Sequence, residues 1–389
     1  MKKLFVILCI LGVLFGVDNK GLVKQGEEAL ENKDYETAIE LLEKACAKKN
    51  GAGCRNLASL YFVGIGVEQD LEKAGKYLSK ACDFGDGMGC EILASFTDNK
   101  QESEKYIKKA LNFSKKACDK KDGSACFHLA SMYDKNNKVQ QDKAKAVKLY
   151  IKSCEYGYAL GCNILGWHYD RGDGIAKDEK KALELYQRAC SDGSSSGCRN
   201  LGLRYANGRG VKQDSEKALE LFDKSCNLGN DLACFYIATY YYEGKEVKQD
   251  KSRAVEFYSR ACDKGNNMAC MQAGYMFSNG EGVAKDNFRT FELYRVACDN
   301  GEVTACYNIA VMYMNGEGVK QDNFRAVELY QEACEMNNEG ACNNLGIMYE
   351  GGKGIKQDKR KAKELYGKAC DLKNEKGCQN YARLNEAGY

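Results

Sequence analysis

The sequence predicts an all-α protein, an α/α solenoid whose helix hairpins stack into a right-handed superhelix with a concave and a convex face. Three observations lead to this fold class. Cysteines recur in pairs, and each first cysteine of a pair lies 36 residues after the previous one, without insertion or deletion. Apolar residues between the pairs recur at helical spacing. The 389-residue chain has 40 glycines and no proline, so its turns must be built from Gly, Asn and Asp.

The cysteine pairs indicate the redox chemistry of the chain. Zinc sites favour cysteines two to four residues apart, often with histidine, whereas here seven residues separate the members of each pair and only two histidines exist. Two helix ends joined by a short turn can bring Cα atoms to the separation of about 4.4–6.8 Å that a disulfide needs, which favours pairing within each pair, although spacing alone does not prove it. The predicted disulfides join Cys46 with Cys54, Cys82 with Cys90, Cys118 with Cys126, Cys154 with Cys162, Cys190 with Cys198, Cys226 with Cys234, Cys262 with Cys270, Cys298 with Cys306, Cys334 with Cys342 and Cys370 with Cys378.

Each repeat predicts two helices, here called helix A and helix B. In the repeat from Cys162 to Cys198, helix A ends at Gly172, a natural left-handed cap, and Asp178 is the N-cap of helix B. Helix B ends at Cys190, next to the turn that the disulfide would close. The apolar stripes are Cys162, Leu165, Gly166 and Tyr169 in helix A, and Ala182, Leu185, Tyr186 and Ala189 in helix B.

Two repeats depart from this pattern without changing length. Between Cys90 and Cys118 the loop glycines and the cap aspartate are missing, so we expect the repeat to survive with a different loop. The next repeat has Asn136 and Lys138 in place of the glycines, and Asn tolerates left-handed backbone. In total the pattern predicts twenty-one helices between about residue 20 and about residue 387.

The N-terminal segment predicts export. Lys2 and Lys3 precede the apolar run Leu4–Phe15, which has the length of a signal peptide and is short for a membrane span. We therefore predict a signal peptide over residues 1–17 and a single solenoid of about ten repeats over 18–389; an uncleaved N-terminal anchor is the alternative. Export to the periplasm or beyond agrees with evenly paired cysteines.

The charge pattern disfavours two classes of partner. The net charge is +3, and Lys and Glu are interspersed rather than grouped in blocks. A nucleic-acid-binding protein typically has a basic stripe, and so does a protein that binds anionic membranes. We therefore predict no nucleic-acid partner and no membrane contact beyond the signal segment.

The repeat units resemble the SLR (Sel-like) repeat, a relative of the tetratricopeptide repeat. The resemblance rests on segments 182–190 and 197–202, on the loop 208–211 and on segment 214–218. The cysteine pair in every repeat together with an export signal resembles the secreted Helicobacter cysteine-rich proteins, also called the cysteine-rich β-lactamase family. This resemblance implies tetratricopeptide-like hairpins with one disulfide each, and export. It also implies penicillin binding with slow β-lactamase activity, hence β-lactam or peptidoglycan-like ligands, whereas other repeat relatives are adaptor scaffolds.

The residues of a standard β-lactamase site are absent from the sequence. Serine enzymes need Ser-x-x-Lys, Ser-Asp-Asn and Lys-Thr-Gly motifs, and none of the three occurs. Zinc enzymes need clustered histidines, but His128 and His168 lie in adjacent repeats at different repeat positions, so we expect both to pack rather than to bind metal. Trp167, the single tryptophan, is expected to pack as well. The sequence thus predicts no metal and no cofactor, and it leaves the catalytic residues of any hydrolase unknown.

Asparagine recurs two residues after the second cysteine of a pair. In tetratricopeptide-type solenoids this face of helix A lines the concave groove, where an amide can pair with a peptide backbone. Equally, Asn in a first helical turn can satisfy nearby backbone groups, and the sequence does not decide between the two. The leading hypothesis is an exported scaffold that binds a peptide or protein on its concave face; a β-lactam hydrolase is the alternative. The candidate binding residues are Asn56, Asn200, Asn308, Asn344 and Asn380.

Overall fold

The computed structural model describes residues 21–135, 139–244 and 247–389, and every regular element within these ranges is an α-helix. The predicted fold class and helix number are confirmed for this part of the chain. The predicted signal peptide, Asn136 and Lys138 lie outside the described residues. The helices are α1 Leu22–Glu31, α2 Tyr35–Ala47, α3 Gly51–Val63, α4 Leu71–Asp83, α5 Gly87–Phe96, α6 Lys100–Asp119, α7 Gly123–Asp134, α8 Lys143–Glu155, α9 Ala159–Arg171, α10 Glu179–Ser191, α11 Ser195–Asn207, α12 Ser215–Asn227, α13 Asp231–Glu243, α14 Lys251–Asp263, α15 Asn267–Asn279, α16 Asn287–Asp299, α17 Val303–Asn315, α18 Asn323–Glu335, α19 Glu339–Gly351, α20 Lys359–Asp371 and α21 Glu375–Glu386.

The helices form two compact units that divide between Gly197 and Cys198. Odd-numbered helices are helix A of a hairpin and even-numbered helices are helix B. Within each unit a helix packs mainly against the helix before it and the helix after it, and some A helices also touch the next A helix, as α7 touches α9 and α19 touches α21. This nearest-neighbour packing is the property of a repeat array.

Helix B begins where the sequence predicts it. The side chain of the cap aspartate accepts a hydrogen bond from the backbone N–H three residues on, which satisfies one of the unpaired donors of the first turn. Most A helices end at a glycine in the left-handed region, for example Gly172 with φ 70°, whereas α1, α5, α7 and α21 end at non-glycine residues with negative φ. The capping aspartates are Asp34, Asp70, Asp142, Asp178, Asp214, Asp250, Asp286, Asp322 and Asp358.

A second column of caps, absent from the sequence prediction, begins helix A. It lies in the tight turn, four residues after each first cysteine and three before a Gly or Ala whose N–H it accepts. Tyr158 stands at this position without a side-chain cap, and Glu302 caps through Thr304. The other caps of this column are Asn50, Asp86, Asp122, Ser194, Asn230, Asn266, Asn338 and Asn374.

The disulfides close the tight turn between helix B and the following helix A, and they join the cysteines that the spacing pairs. Their Cα–Cα distances are 4.5–4.8 Å, within the range that a disulfide needs. The pairs with these distances are Cys46 with Cys54, Cys82 with Cys90, Cys118 with Cys126, Cys154 with Cys162, Cys226 with Cys234, Cys262 with Cys270, Cys298 with Cys306, Cys334 with Cys342 and Cys370 with Cys378. Cys190 and Cys198 are disulfide-bonded as well. The predicted disulfide in each repeat is confirmed.

Small neighbours permit the close approach of the two helix ends. A Cβ on Gly53 would lie 2.7 Å from that of Ala45, and one on Gly377 would lie 2.7 Å from that of Ala369. Other repeats accommodate alanine here, as Ala269 beside Ala261 shows, so a residue larger than alanine in place of either glycine would push the cysteines of its turn apart.

The repeat without loop glycines keeps its hairpin by redistributing residues between the two helices. Helix α5 has 10 residues and α6 has 20, whereas most other helices have 13. Asn99 takes over as N-cap and accepts from the Glu102 N–H at 3.1 Å. Helix B therefore begins seven residues earlier than the missing aspartate would place it, and the long loop shrinks to a short link.

No helix in the described ranges is long and apolar enough to cross a membrane.

Candidate functional site

The candidate asparagines lie at the contacts between neighbouring helices, and Asn56 is the most enclosed of them. Asn56 is 1% exposed. Its Nδ2 donates to Glu27 Oε1 at 2.8 Å, and its Oδ1 accepts from Arg55 Nη1 at 3.0 Å. Both polar atoms of its amide thus have side-chain partners inside the fold, rather than the backbone partners of the second interpretation.

Asn344 and Asn380 are half-buried and bridge successive repeats. Asn344 on α19 donates from Nδ2 to Tyr330 Oη at 3.2 Å and to Tyr307 Oη at 3.5 Å. Burial raises the pKa of Tyr330 to about 12, so its hydroxyl stays protonated. Asn380 donates to Asn343 Oδ1 at 3.0 Å. These amides therefore stabilise the repeat interface while part of each side chain stays at the surface.

Asn308 is half-buried, and Asn200 is half-buried and accepts from Arg199 Nη2 at 3.3 Å. The structure places all five asparagines on helix A at one repeat position. Their role in peptide binding stays a prediction.

The contacts of Asn344 define a register that other repeats share. The residue two after the second cysteine reaches the residue 14 positions before it on helix B and the residue 37 positions before it on the previous helix A. In the repeat of α7 this position is His128. Its Nδ1 lies 2.7 Å from Ser114 Oγ, and its Nε2 lies 2.6 Å from Glu91 Oε2, with the same spacings of 14 and 37.

The Ser114–His128–Glu91 contact has the composition of a nucleophile–base–carboxylate arrangement. Ser114 is 4% exposed, and a Cβ on Gly87 would lie 2.2 Å from its Oγ, so the first turn of α5 covers the hydroxyl. A neighbouring cavity of about 140 Å³ is lined by His128, Arg55 and Asp86, and Arg55 Nε lies 3.3 Å from an Asp86 carboxylate oxygen. The shared register therefore explains the Ser114–His128–Glu91 contact as a structural one. It is equivalent to the hydrogen bonds that Asn344 makes with Tyr330 and Tyr307.

The variable face of helix A changes character along the chain. We call the positions two before and one, five and eight after the second cysteine the A stripe, because this spacing places them on one face of the helix. On α13, α15, α17 and α19 of the second unit the A stripe is largely apolar, and Met268, Tyr275 and Ile347 are 63%, 47% and 41% exposed. Its members on these four helices are Leu232, Phe235, Thr239 and Tyr242 on α13; Met268, Met271, Tyr275 and Ser278 on α15; Thr304, Tyr307, Val311 and Met314 on α17; and Gly340, Asn343, Ile347 and Glu350 on α19. The last A helix, α21, is polar at the same positions, with Lys376, Gln379, Arg383 and Glu386.

The corresponding stripe of the first unit is more polar. Helix α3 has Ala52, Arg55, Ser59 and Phe62 there, and α5 has Met88, Glu91 and Ser95. Helix α7 has Ser124, Phe127, Ser131 and Asp134. The asparagines recur and could be predicted from the sequence, whereas this contrast could not, because the stripe residues do not recur. The stripe could be recognised in the sequence only as a set of fixed helix positions at which the residue type varies between repeats.

The grooves between successive B helices of the second unit have charged rims. A cavity of about 430 Å³ lies between α12 and α14 and is rimmed by Glu220, Asp223 and Arg253. A cavity of about 380 Å³ occupies the equivalent place between α16 and α18. There Arg325 pairs with Glu328 at 3.1 Å, and Arg295 pairs with Glu292 at 2.8 Å. These charged groups already have partners within the fold. The grooves between B helices are therefore less suited to binding a partner than the apolar A stripe.

The Sel1 repeat family matches nine segments of this chain that together make up most of its length. They are residues 24–50, 51–86, 123–158, 159–194, 195–230, 231–266, 267–302, 303–338 and 340–374. The chain belongs to the Sel1 repeat family. The stretch 87–122 between two matched segments holds all of α5 and α6, the hairpin that lacks the loop glycines and the cap aspartate. The resemblance drawn from the sequence is thereby confirmed.

Curated relatives match over shorter stretches. HcpC of Helicobacter pylori is 39% identical over 75 residues, which are 18% of this chain and 26% of that protein. The protein named β-lactamase HcpA, from the same species, is 41% identical over 64 residues, 16% of this chain and 26% of that protein. The matched part thus spans about a quarter of the length of these relatives.

Solved structures extend the similarity to the fold. A Sel1 repeat protein from Oxalobacter formigenes is 25% identical, with a TM-score of 0.53, and the match covers 83% of this chain and 93% of that one. The Helicobacter pylori cysteine-rich protein B is 34% identical over 34% of this chain and 94% of its own, with a TM-score of 0.29.

Proposed function

We propose that this Sel1 repeat protein is an exported scaffold that binds an extended peptide, or a protein segment, along the A stripe of its second unit. The observation that carries the proposal is the run of partly exposed apolar side chains on α13, α15, α17 and α19. A soluble monomer rarely leaves such a series uncovered unless a partner covers it. Export is proposed with it, because disulfides in every repeat persist in an oxidising compartment.

The chemistry of the stripe favours a segment with spaced apolar side chains. Met268 and Tyr275 lie seven residues apart on one helix and offer a flexible thioether and a ring with a polar tip. Beside the stripe, Asn308 and Asn344 are half-buried amides at the position the sequence assigned to peptide binding. The apolar residues would supply affinity, and the amides would hold the backbone of the partner.

The proposal is tested with peptides selected from a displayed random library on the oxidised protein. Replacement of Met268→Ser together with Tyr275→Ser should weaken the selected peptides at least about tenfold in fluorescence anisotropy, because each side chain covered on binding is worth about 1.5–3 kcal/mol. Asn308→Ala should cause a smaller loss, since it removes one amide.

The matched control is Phe288→Ser together with Phe324→Ser. These two side chains are 65% and 62% exposed, but they lie on B helices. This variant should bind the peptides as the original protein does. Equal weakening by both variants would refute the A stripe as the binding surface, and so would peptides whose affinity neither variant changes.

A β-lactam hydrolase is the second candidate function, favoured by the Ser114–His128–Glu91 contact and by the name of the relative HcpA. The covered hydroxyl of Ser114 weighs against it. The test is hydrolysis of a chromogenic cephalosporin by the oxidised protein. Turnover that Ser114→Ala abolishes and Ser131→Ala leaves intact would support this site, and turnover no faster than a protein-free blank would eliminate it.

A further inference from the structure

His168 is a buried polar side chain at a position where four other repeats have methionine. Its side chain on α9 is 0% exposed. The equivalent residues, six after the second cysteine, include Met132, Met276, Met312 and Met348. A methionine fills this space without needing a hydrogen-bond partner, so the imidazole at this position calls for a chemical explanation.

The hydrogen bonds of His168 identify which ring nitrogen carries the lone pair. Nδ1 lies 2.7 Å from the backbone carbonyl oxygen of Asp173. A carbonyl oxygen only accepts, so Nδ1 carries the proton and Nε2 of the neutral ring is left with the lone pair. Nε2 is buried and has no hydrogen-bond partner. Such an atom loses its hydration without compensation unless something binds to it.

Two carboxylates face this imidazole. Nε2 lies 3.6 Å from Asp134 Oδ2, at the C-terminal end of α7, and Nδ1 lies 4.0 Å from Asp173 Oδ2, in the loop after α9. One ligand atom from each of the three residues lies within 4.8 Å of the others. The cluster combines residues from two successive repeats, all of them within the first unit.

From this arrangement we propose a binding site for a divalent transition-metal ion at His168, Asp134 and Asp173. With metal–ligand bonds of about 2.0–2.2 Å, ligand atoms 3.6 Å apart subtend an angle of about 120° at the ion, close to tetrahedral geometry. One imidazole with two carboxylates suits Zn²⁺, Co²⁺ or Mn²⁺. The bond from Nδ1 to the Asp173 carbonyl fixes the ring orientation, as the outer contacts of metal-bound histidines do.

Lys143 offsets one of the two negative charges of the metal-free site. Its Nζ lies 2.5 Å from Asp173 Oδ1, and its side chain is 39% exposed. Equivalent ties join Lys251 to Glu281 and Lys359 to Tyr389, each across 30 residues. The ammonium group therefore neutralises one carboxylate in the metal-free protein, and a bound cation shares or replaces that contact, since the lysine can turn into solvent.

The single tryptophan provides a local probe. The Trp167 ring lies edge-on to the His168 imidazole, with 5.1 Å between ring centroids. Co²⁺ quenches tryptophan fluorescence at short range, whereas Zn²⁺ does not. Titration of the oxidised, tag-free chain with Co²⁺ should quench Trp167 with a stoichiometry of about one ion per chain by equilibrium dialysis, and excess Zn²⁺ should restore the emission.

Three variants decide the assignment. His168→Gln should abolish both quenching and uptake, and Asp134→Asn should weaken uptake at least about tenfold while preserving the volume of the side chain. His128→Gln is the matched control, because His128 is also buried and also contacts a carboxylate, and it should bind Co²⁺ normally. If His168→Gln unfolds, as circular dichroism would show, Asp134→Asn still tests the site.

The proposal is overturned if the original protein takes up no Co²⁺ or Zn²⁺ at micromolar concentration. It is equally overturned if Asp134→Asn and His168→Gln, both folded, bind as the original protein does. A His168 that only packs in the interior would produce the first result, and metal binding by scattered surface carboxylates would produce the second.

Discussion

The second glycine of each long loop is the residue at which a side chain should do most damage. Gly282 has φ +71°, and a Cβ there would lie 2.3 Å from the backbone carbonyl carbon of Lys251, at the start of the previous helix B. We expect Gly282→Ala to lower the free energy of unfolding through both backbone strain and a steric clash, each worth about 1–3 kcal/mol. Urea unfolding followed by circular dichroism measures the loss.

Gly265 separates these two causes. It has φ +90°, but nothing lies within 4 Å of a Cβ built on it. Other repeats place Lys49, Lys121 and Asn337 at this position with positive φ, which shows that the turn tolerates a side chain. Gly265→Ala should therefore cost only the strain, about 1 kcal/mol. Equal losses for Gly282→Ala and Gly265→Ala would contradict the clash.

At the residue scale the sequence predicted the positions that recur and missed the contacts that depend on a neighbouring repeat. The Asp caps of helix B follow from a local pattern and were predictable. The partners of Asn344 were not, because Tyr330 and Tyr307 are brought to it by packing between repeats. For the same reason His168 was predicted to pack, whereas its facing Asp134 comes from the preceding repeat.

At the scale of single helices, the carboxylate of Glu350 links the last helix to the A helix before it. Glu350 on α19 accepts from Arg383 Nη1 and Nη2 on α21 at 2.7 Å each, and from Tyr366 Oη at 2.8 Å. The Arg383 hydrogen bonds hold the pKa of Glu350 below its ordinary value. A depressed carboxyl pKa stabilises the fold above the unfolded pKa of about 4.3, and this stabilisation disappears as the pH falls through the lower, folded value.

We therefore expect acid to loosen α21 selectively. Hydrogen-exchange protection of residues 375–386 should fall as the pH drops below the unfolded glutamate pKa of about 4.3 in the original protein. In Glu350→Gln the free energy of local opening of α21 should be lower at neutral pH by about 0.5–1 kcal/mol. Its protection should also depend less on pH in the acidic range. Glu364→Gln is the control, since Glu364 is 67% exposed beside Lys361. An unchanged α21 in Glu350→Gln would contradict this anchoring.

The hairpin of α5 and α6 shows what the sequence could and could not predict at this scale. Its constant repeat length predicted that the hairpin survives, and it does. The start of α6 after Asn99 was not predicted. Nine other repeats place the N-cap of helix B seven positions later, and that pattern outweighed the local capping preference of Asn99. Helix existence follows from the apolar period, whereas helix ends depend on which local cap forms.

At the scale of the whole molecule, the fold was predictable because one spacing occurs ten times. Each occurrence predicts the same helix hairpin independently of the others. The candidate binding surface was less predictable for the complementary reason. Residues such as Tyr275 and Ile347 lie at equivalent positions on α15 and α19 but share no residue type, so only their common exposure identifies them as one surface.

The disulfides stabilise the array one repeat at a time. Each closes a short turn, for which the chain-entropy treatment gives about 2–3 kcal/mol. In an array whose helices contact mainly their neighbours, that loss should stay local. Replacement of Cys262→Ala with Cys270→Ala should therefore reduce hydrogen-exchange protection in α14 and α15, and slightly in α13 and α16, while α20 and α21 remain as before.

The same double replacement at Cys298 and Cys306 should move the weakened region to α16 and α17 with a similar loss. Reduction of every disulfide in the chain should instead lower the melting temperature far more than either replacement, because all repeats lose their constraint together. A uniform loss of protection throughout the second unit after a single replacement would show that the unit opens as one cooperative block, and that its disulfides do not act separately.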